Sequence, residues 1–334
     1  MSNYRHRNRK YDIVQHDPAW HRTFDEEARR IKGIFGSDAL SIEHIGSTAV
    51  PDIAAKPTID ILVIVKYAAV ADQYNEPMAA LGYSALGAFI ADDTRLFEKE
   101  VGDERLFIIH VFEKDHPHTE DMIKTRDYLI THPDEAKAYE ALKRNLKKRF
   151  PDDYISYRKV KNEYMKELTK KALETGRKEK FDIFLEVAGE LNKSFKVTPI
   201  LYGSLGLYRV IRESGTVSDV DILVPNEFVK EEWSELVALM RRLNFELKDK
   251  HEHEFIREEK IVAFATNLDL VERAGIRPED LKISRENDVE FKELTPEQYH
   301  SVYQFVSGDS YRQEKRGTTD KDKIVLIKKF LTKN

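Results

Sequence analysis

The sequence contains no cysteine. A chain without thiols has no disulfide framework, no thiolate metal site and no cysteine nucleophile, so a cytoplasmic location is the default expectation. No apolar run approaches the roughly 20 residues that a membrane-spanning helix needs. The net charge is -5, whereas proteins that coat nucleic acid carry a large basic excess. We therefore expect no membrane and no general nucleic-acid partner.

Two common phosphate-binding motifs are also missing. Gly203-Ser-Leu-Gly206 does not fit the dinucleotide pattern G-x-G-x-x-G, and the P-loop pattern G-x-x-x-x-G-K-[ST] does not occur. The dehydrogenase and P-loop classes therefore lose their main support.

The length and composition predict two globular domains. The chain has 334 residues, of which 41% are hydrophobic and 34% charged, and one domain usually takes roughly 100 to 200 residues. Residues 166–180 are rich in Lys and Glu, with Gly176 as the expected end of a helix. This charged connector predicts domains at 1–175 and 176–334.

An apolar stretch in the second half, residues 217–224, carries two aspartates, Asp219 and Asp221. In a strand, positions i and i+2 share one face. Two carboxylates on one face suit Mg²⁺ or Mn²⁺, which take oxygen ligands and leave room for substrate phosphates. We predict a metal-binding and catalytic role for both aspartates.

A glycine turn precedes this pair. Gly203 and Ser204 follow an apolar strand and begin a predicted helix, where backbone N–H groups are open to the phosphates of a nucleotide. Arg209 lies further along the same helix and is a candidate for a triphosphate contact, although a solvated helix charge is its commoner role.

The order Gly-Ser, helix, Asp-x-Asp resembles the polymerase-β-type nucleotidyltransferase superfamily. The resemblance implies a short mixed sheet flanked by helices. It also implies a third carboxylate on a later strand, acting as general base for an attacking hydroxyl. Glu254 is our candidate, on a predicted two-stranded hairpin that spans residues 245–265, with Glu252 and Asp269 as alternatives.

Two other interpretations apply to the same hairpin. His251 and His253 alternate with the two glutamates, a pattern that is compatible with a zinc site but lacks a further local ligand. An exposed polar hairpin without a site explains the pattern equally simply.

The first half holds a partial copy of the motif. Gly46 and Ser47 form a glycine turn, and Asp60 lies on the next apolar strand, with Leu62 where a second carboxylate would stand. We predict that Gly46, Ser47 and Asp60 contribute to a nucleotide pocket. Asp60 has an equally acceptable role as a cap at the end of its strand.

Two basic positions complete this candidate pocket. Lys56 precedes the strand of Asp60, and His110 lies on a later apolar strand. Both are predicted to contact an anion, and His44 is a further possible member.

Residues 43–51 and 55–62 resemble the GrpB (UPF0157) family, and the likeness extends over about residues 11–172. That family is placed in the nucleotidyltransferase superfamily, which implies the same fold for the first half. A family strand with alternating histidines corresponds to residues 107–112, where Ile108 replaces the first histidine and His110 remains.

The sequence therefore predicts an α/β (α+β) protein with two tandem nucleotidyltransferase-like domains, each a short mixed β-sheet flanked by helices. The favoured function is metal-dependent transfer of a nucleoside monophosphate from an NTP to an unidentified acceptor, with the chemistry in the second domain. The alternative is a nucleotide-binding or regulatory module without turnover.

Overall fold

The computed structural model describes residues 11–88, 91, 93–114, 116–213, 217–306 and 319–333. The chain divides into two compact units between Glu174 and Thr175. Each unit has a mixed β-sheet flanked by helices, which is the predicted fold class. Within the described residues, no helix has both the length and the apolar character needed to cross a membrane.

The first unit is built on a five-stranded sheet with the order β1-β2-β5-β4-β3. Its strands are β1 (Ser41–Ile45), β2 (Ile59–Val65), β3 (Ser84–Gly87), β4 (Thr94–Val101) and β5 (Glu104–Glu113). Its helices are α1 (Ala19–Phe35), α2 (Asn75–Ala80), α3 (Pro117–Thr131), α4 (Pro133–Arg149) and the first part of α5 (Tyr154–Phe195).

Strand β2 lies inside the sheet, between β1 and β5. Its near-continuous apolar run leaves Ile61, Val63 and Val65 with no exposed surface, as is typical of a strand covered on both faces. Burial of each such side chain stabilises the fold by about 1.5 to 3 kcal/mol. The core around them includes Trp20, Ile31 and Phe35 of α1, so the apolar stripe of that helix is core packing.

The second unit is built on a seven-stranded sheet with the order β11-β12-β6-β7-β10-β9-β8. Its strands are β6 (Ile200–Leu201), β7 (Val220–Val224), β8 (Glu246–Asp249), β9 (Glu254–Arg257), β10 (Lys260–Thr266), β11 (Lys282–Glu286) and β12 (Val289–Glu293). Its helices are the end of α5, α6 (Gly203–Ile211), α7 (Asn226–Val229), α8 (Trp233–Arg242), α9 (Leu268–Ala274), α10 (Pro296–Val306) and α11 (Thr319–Lys333).

The two-stranded hairpin predicted for residues 245–265 was wrong in its detail. The segment forms three antiparallel strands, β8, β9 and β10. The extra break lies at residues 250–253, a polar turn in which Asp249 accepts hydrogen bonds from the backbone N–H groups of His251 and Glu252. A side-chain acceptor that caps a turn competes with strand pairing, and this explains the break.

The prediction that a helix ends at Gly176 was also wrong. Helix α5 runs for 42 residues through this position, and Gly176 is not among the glycines with positive φ. One glycine costs a helix about 1 kcal/mol. The flanking Lys and Glu residues at i,i+4 spacing, such as Glu167 with Lys171 and Lys170 with Glu174, favour helix and offset part of that cost.

Five strands of the second unit repeat the topology of the first. In the first, β1 pairs antiparallel with β2, β2 pairs parallel with β5, and β4 and β3 follow antiparallel. In the second, β6, β7, β10, β9 and β8 repeat the same order and directions. The weak internal repeat in the sequence therefore corresponds to a repeat of the fold, and residues of one unit are comparable with residues of the other.

Candidate functional site

A glycine turn and an aspartate meet in the same way in both units. Gly46 has φ of +74° and Gly203 has φ of +64°, values that favour glycine over residues with a side chain. A Cβ at Gly46 would lie 3.0 Å from Asp60 Cγ, and one at Gly203 would lie 2.6 Å from Asp221 Cγ. Glycine is therefore required at each turn because the carboxyl group of the aspartate takes the space of a side chain.

The strand register aligns the two units residue by residue. Ile45 pairs with Asp60 across β1 and β2, and Tyr202 N–H donates to the carbonyl of Asp221 at 3.0 Å. Asp60 therefore corresponds to Asp221, the second aspartate of the pair. The sequence comparison, which set Asp60 against Asp219, was displaced by two residues.

This register changes which residue of the first unit stands at the position of the second carboxylate. Thr58, two residues before Asp60, corresponds to Asp219, and Leu62 corresponds to Leu223. Leu62 is fully buried and packs with Ile45, Ile64 and Phe112, so it is a core residue. The alternation of side chains along a strand determines which face Leu62 takes. The spacing of residues in the sequence did not determine how the strands pair.

In the second unit, Asp219 immediately precedes β7 and Asp221 lies within it. Ser204 is the second residue of α6 and is half-buried. The neighbouring strand β10 places Ala263 directly beside Asp221. Across the described parts of the chain, no three His, Asp or Glu side chains are grouped to hold a metal ion. The pair can thus supply two carboxylate ligands, with any others coming from a ligand or water.

The three candidates for a third carboxylate lie elsewhere. Glu254 is opposite Ala263, and therefore two strand spacings, roughly 10 Å, from Asp221. Its carboxylate accepts a hydrogen bond from Lys248 Nζ at 2.8 Å. Glu252 lies in the turn between β8 and β9, and Asp269 on α9 pairs with Arg273 at 2.9 Å. The structure does not bring these carboxylates to the aspartate pair.

Arg209 is already engaged within its own unit. Its Nε lies 3.0 Å from Glu293 and one Nη lies 3.3 Å from Glu286. Its guanidinium also lies 3.8 Å from the centre of the Phe181 ring. A triphosphate contact by Arg209 would have to break this arrangement.

The first unit contains a cavity of about 100 Å³ beside Asp60. It is lined mainly by cationic and phenolic side chains, and among the described lining residues Asp60 is the one carboxylate. The lining consists of Ser47, Lys56, Thr58, Asp60, Arg105, Tyr139, Lys143, Tyr154, Tyr157 and Lys161. Three predicted residues, Ser47, Lys56 and Asp60, are therefore brought together.

One wall of the cavity comes from two helices, α4 and α5. Tyr139 and Lys143 are one turn apart on α4, and Tyr154, Tyr157 and Lys161 share a face of α5. The i, i+3 and i+7 spacing of the α5 residues was visible in the sequence. Nothing local indicated that this face meets the glycine turn more than 100 residues earlier.

Lysine and tyrosine groups are coupled inside the cavity. Lys56 Nζ donates to the Tyr154 hydroxyl at 3.2 Å, and Ser47 Oγ donates to the Tyr139 hydroxyl at 3.2 Å. Tyr139, acting against the effect of burial, raises the pKa of Lys161. Burial opposes ionisation of Tyr154, but Lys56 and Lys161 lower its pKa overall. The positive charges of the two lysines thus favour a negative charge in the cavity, including that of the ionised Tyr154 side chain.

Two further cations differ in how their charge is balanced. Arg105 pairs at 2.9 Å with Glu98, a glutamate that is 5% exposed. Lys143 is 2% exposed, and its ammonium donates to the carbonyl of Ala54. Burial, with a further effect of Lys161, lowers the pKa of Lys143 to about 7. Lys143 therefore gains or loses its charge near neutral pH.

The two histidines of the predicted pocket do not line the cavity. His110 lies on the same face of the sheet as Asp60, but its Nδ1 is buried and finds no hydrogen-bond partner among the described residues. His44 lies 3.0 Å from Thr48 Oγ1 and stacks on Phe24. Burial lowers the pKa of His44 to about 3, so it is neutral at physiological pH.

The fold and the site define a mixed α/β protein of two topologically equivalent units, one of which has a cationic cavity beside its glycine turn. The family model described as GrpB protein matches residues 10–171. The glutamate-rich protein GrpB of Alkalihalophilus pseudofirmus is 36% identical over 160 residues, which cover 47% of this chain and 92% of that protein. The chain belongs to the GrpB family.

Two further proteins are similar to this chain. The UPF0157 protein YqkA of Bacillus subtilis is 39% identical over 158 residues, and the match covers 47% of this chain and 46% of YqkA. The chain thus spans about half the length of that relative. The crystal structure of GrpB from Enterococcus faecalis matches with 33% identity and a TM-score of 0.47, covering 49% of this chain and 98% of that one.

Proposed function

We propose that the first unit binds a phosphate group of a nucleotide, or of a similar phosphorylated ligand, in its cationic cavity. One observation carries the proposal: Lys56, Arg105, Lys143 and Lys161 line the same small cavity as Asp60. Grouped cations are costly to bury. An anion that accepts their hydrogen bonds would offset this cost.

The size of the cavity favours one small group. Its volume of about 100 Å³ is below the roughly 300 to 1,000 Å³ of pockets that enclose a drug-sized ligand. A phosphate fits inside, while a nucleoside would extend outside. Lysine ammonium groups and the hydroxyls of Ser47 and the tyrosines supply donors to its oxygens, and charge-assisted bonds of this kind are the strong ones.

The test is a calorimetric titration with ATP, AMP, inorganic phosphate and adenosine. We expect the three phosphate-bearing compounds to bind and adenosine not to bind, with affinities that fall as salt is added because charges dominate the contact. Adenosine binding as tightly as AMP would contradict the proposal, since the cavity would then recognise the nucleoside.

The affinity for a dianion is expected to depend on pH through Lys143. Because burial lowers the pKa of this lysine to about 7, an entering anion favours its protonated form. Affinity should therefore rise as the pH falls, by roughly tenfold between pH 8 and pH 6. Sulfate is the suitable probe, since it keeps two negative charges throughout this range.

The variant Lys143→Met provides the control for this prediction. It keeps a chain of similar length but has no titrating group, so its sulfate affinity is expected to be weaker and nearly constant with pH. A wild-type affinity that does not change between pH 6 and pH 8 would show that Lys143 does not respond to the ligand.

Nucleotidyl transfer by the second unit is a second candidate function. It is favoured by the contact between Gly203 and Asp221, which sets a carboxylate beside the start of α6. Asp219 and Asp221 would hold Mg²⁺ or Mn²⁺, which would neutralise charge on the phosphates of an NTP. Gly203 and Ser204 would bind those phosphates at the start of the helix. The acceptor would be a small hydroxyl compound.

The activity is tested by incubating the protein with labelled NTPs, Mg²⁺ and a panel of hydroxyl acceptors, followed by mass spectrometry. Asp219→Asn with Asp221→Asn should abolish any transfer. Transfer that persists in this double variant would exclude the second unit as its source.

A further inference from the structure

The two units differ at one decisive position of their shared fold. Where the second unit has Asp219, the register places Thr58 in the first. Thr58 is 4% exposed, and its hydroxyl donates to the carbonyl of Arg105 at 2.9 Å. A threonine committed to this bond does not replace a carboxylate ligand, so the first unit retains only Asp60 from the aspartate pair.

The neighbouring strand supplies no carboxylate either. Strand β5 places Ile108 beside Asp60, as β10 places Ala263 beside Asp221. Mg²⁺ takes several oxygen ligands, usually one or two carboxylates together with water and substrate phosphates, and the superfamily pattern supplies two carboxylates where the first unit has one. The donor set of the first unit therefore does not fit the metal site that the superfamily implies.

Ammonium groups line the cavity beside Asp60 instead. Tyr139 is the main group that raises the pKa of Lys161, with a smaller contribution from Asp60. Burial lowers the pKa of Lys56, and Tyr154 and Asp60 oppose that effect in part. Lys56 lies shortly before the start of β2, and Lys161 lies on α5. Two lysines from separate elements thus line the cavity in which Asp60 is the one carboxylate among the described lining residues.

We propose that in the first unit Lys56 and Lys161 take the place of a divalent metal ion, so that this site binds phosphate without metal. The inference rests on the proposed function and specifies how its charge is neutralised. Two lysines beside one carboxylate leave the site with a net positive charge, which attracts a phosphate and repels a divalent cation. A second carboxylate at the position of Thr58 would cancel that net charge.

The test is calorimetry with inorganic phosphate, in buffer containing EDTA and in buffer containing Mg²⁺, on the wild-type chain and on Lys161→Met. We expect the wild type to bind with the same Kd in both buffers. Lys161→Met should raise the Kd by about tenfold or more in both, because a charged hydrogen bond is lost. That loss assigns the metal-independent binding to the first unit.

Other results have distinct meanings. Binding that requires Mg²⁺ would overturn this inference while leaving the proposed function intact. Metal-independent binding that Lys161→Met does not weaken would also overturn it. Failure of the wild type to bind phosphate in either buffer would overturn the proposed function and this inference together.

Discussion

Replacing Lys56 and Lys161 together by methionine is expected to weaken binding of phosphate-bearing ligands by at least about 100-fold. A hydrogen bond to a charged group contributes about 1.5 to 3 kcal/mol, and two such bonds correspond to this loss or more. At Lys56 the change removes a charge that opposes folding, because burial lowers the pKa of this lysine. Calorimetry measures the affinity, and thermal unfolding shows whether both proteins are folded at the temperature of the titration.

The matched control is Lys159→Met with Lys166→Met. Both lysines are exposed on α5, so the control removes the same charge without touching the cavity. Its affinity should stay close to that of the wild type. An equal loss in both double variants would show that the overall charge, rather than the cavity, attracts the ligand.

Replacing Glu27 by glutamine is expected to lower the free energy of unfolding of the first unit by about 3 kcal/mol, as is typical when one partner of a buried ion pair is removed. Glu27 is 1% exposed. Its carboxylate accepts hydrogen bonds from Tyr83 at 2.8 Å and from Lys99 at 3.1 Å, and it pairs with Arg30 at 2.8 Å. The hydrogen bond from Lys99 links β4 to α1. A glutamine amide is neutral, so it does not compensate the charges of Lys99 and Arg30.

Fluorescence distinguishes this unit from the other. The chain has two tryptophans, Trp20 on α1 and Trp233 on α8, so a Trp233→Phe background leaves Trp20 to report on the first unit in urea titrations. Glu26→Gln, at an exposed neighbour, should change the unfolding free energy by less than about 0.5 kcal/mol. Equal effects of both substitutions would contradict the role assigned to Glu27.

The effect of Glu27→Gln should also depend on pH. Burial opposes ionisation of Glu27, but the hydrogen bonds from Tyr83 and Lys99 lower its pKa overall from 4.5. A carboxyl with a lowered pKa in the folded state stabilises the protein fully above the unfolded value and loses that effect as the pH falls through the folded value. The difference between wild type and variant should therefore be largest near neutrality and shrink below about pH 4.5.

Part of the site was predictable because it lies in local motifs. Gly46, Ser47 and Asp60 fall on a strand, a turn and the next strand, and period-two alternation predicts which face each side chain takes. The sequence likeness to the GrpB family was confirmed over residues 10–171. Lys56 belongs to the same segment, so its place in the cavity also followed from the sequence.

Other parts failed where sequence spacing was not enough. The sequence comparison paired Leu62 with the second aspartate and so assumed the wrong register. A shift of two residues keeps every side chain on the same face of the strand, so the alternation of apolar residues does not reveal the shift. The prediction that a helix ends at Gly176 relied on the low helix propensity of glycine. That preference is weak beside the helix propensity of the neighbouring residues. Glu254 was placed on the correct face but two strands away from Asp221.

The sequence by itself determined the apolar strands, the two glycine turns and the family of the first half. These features depend on neighbours within one or two elements. Only the tertiary structure decided that Tyr139, Lys143 and Lys161 join Asp60 in one cavity, because helix packing brings together residues some 80 to 100 positions apart along the chain. It also decided the register that places Thr58 at the position of Asp219, because strand pairing is not fixed by the sequence pattern alone.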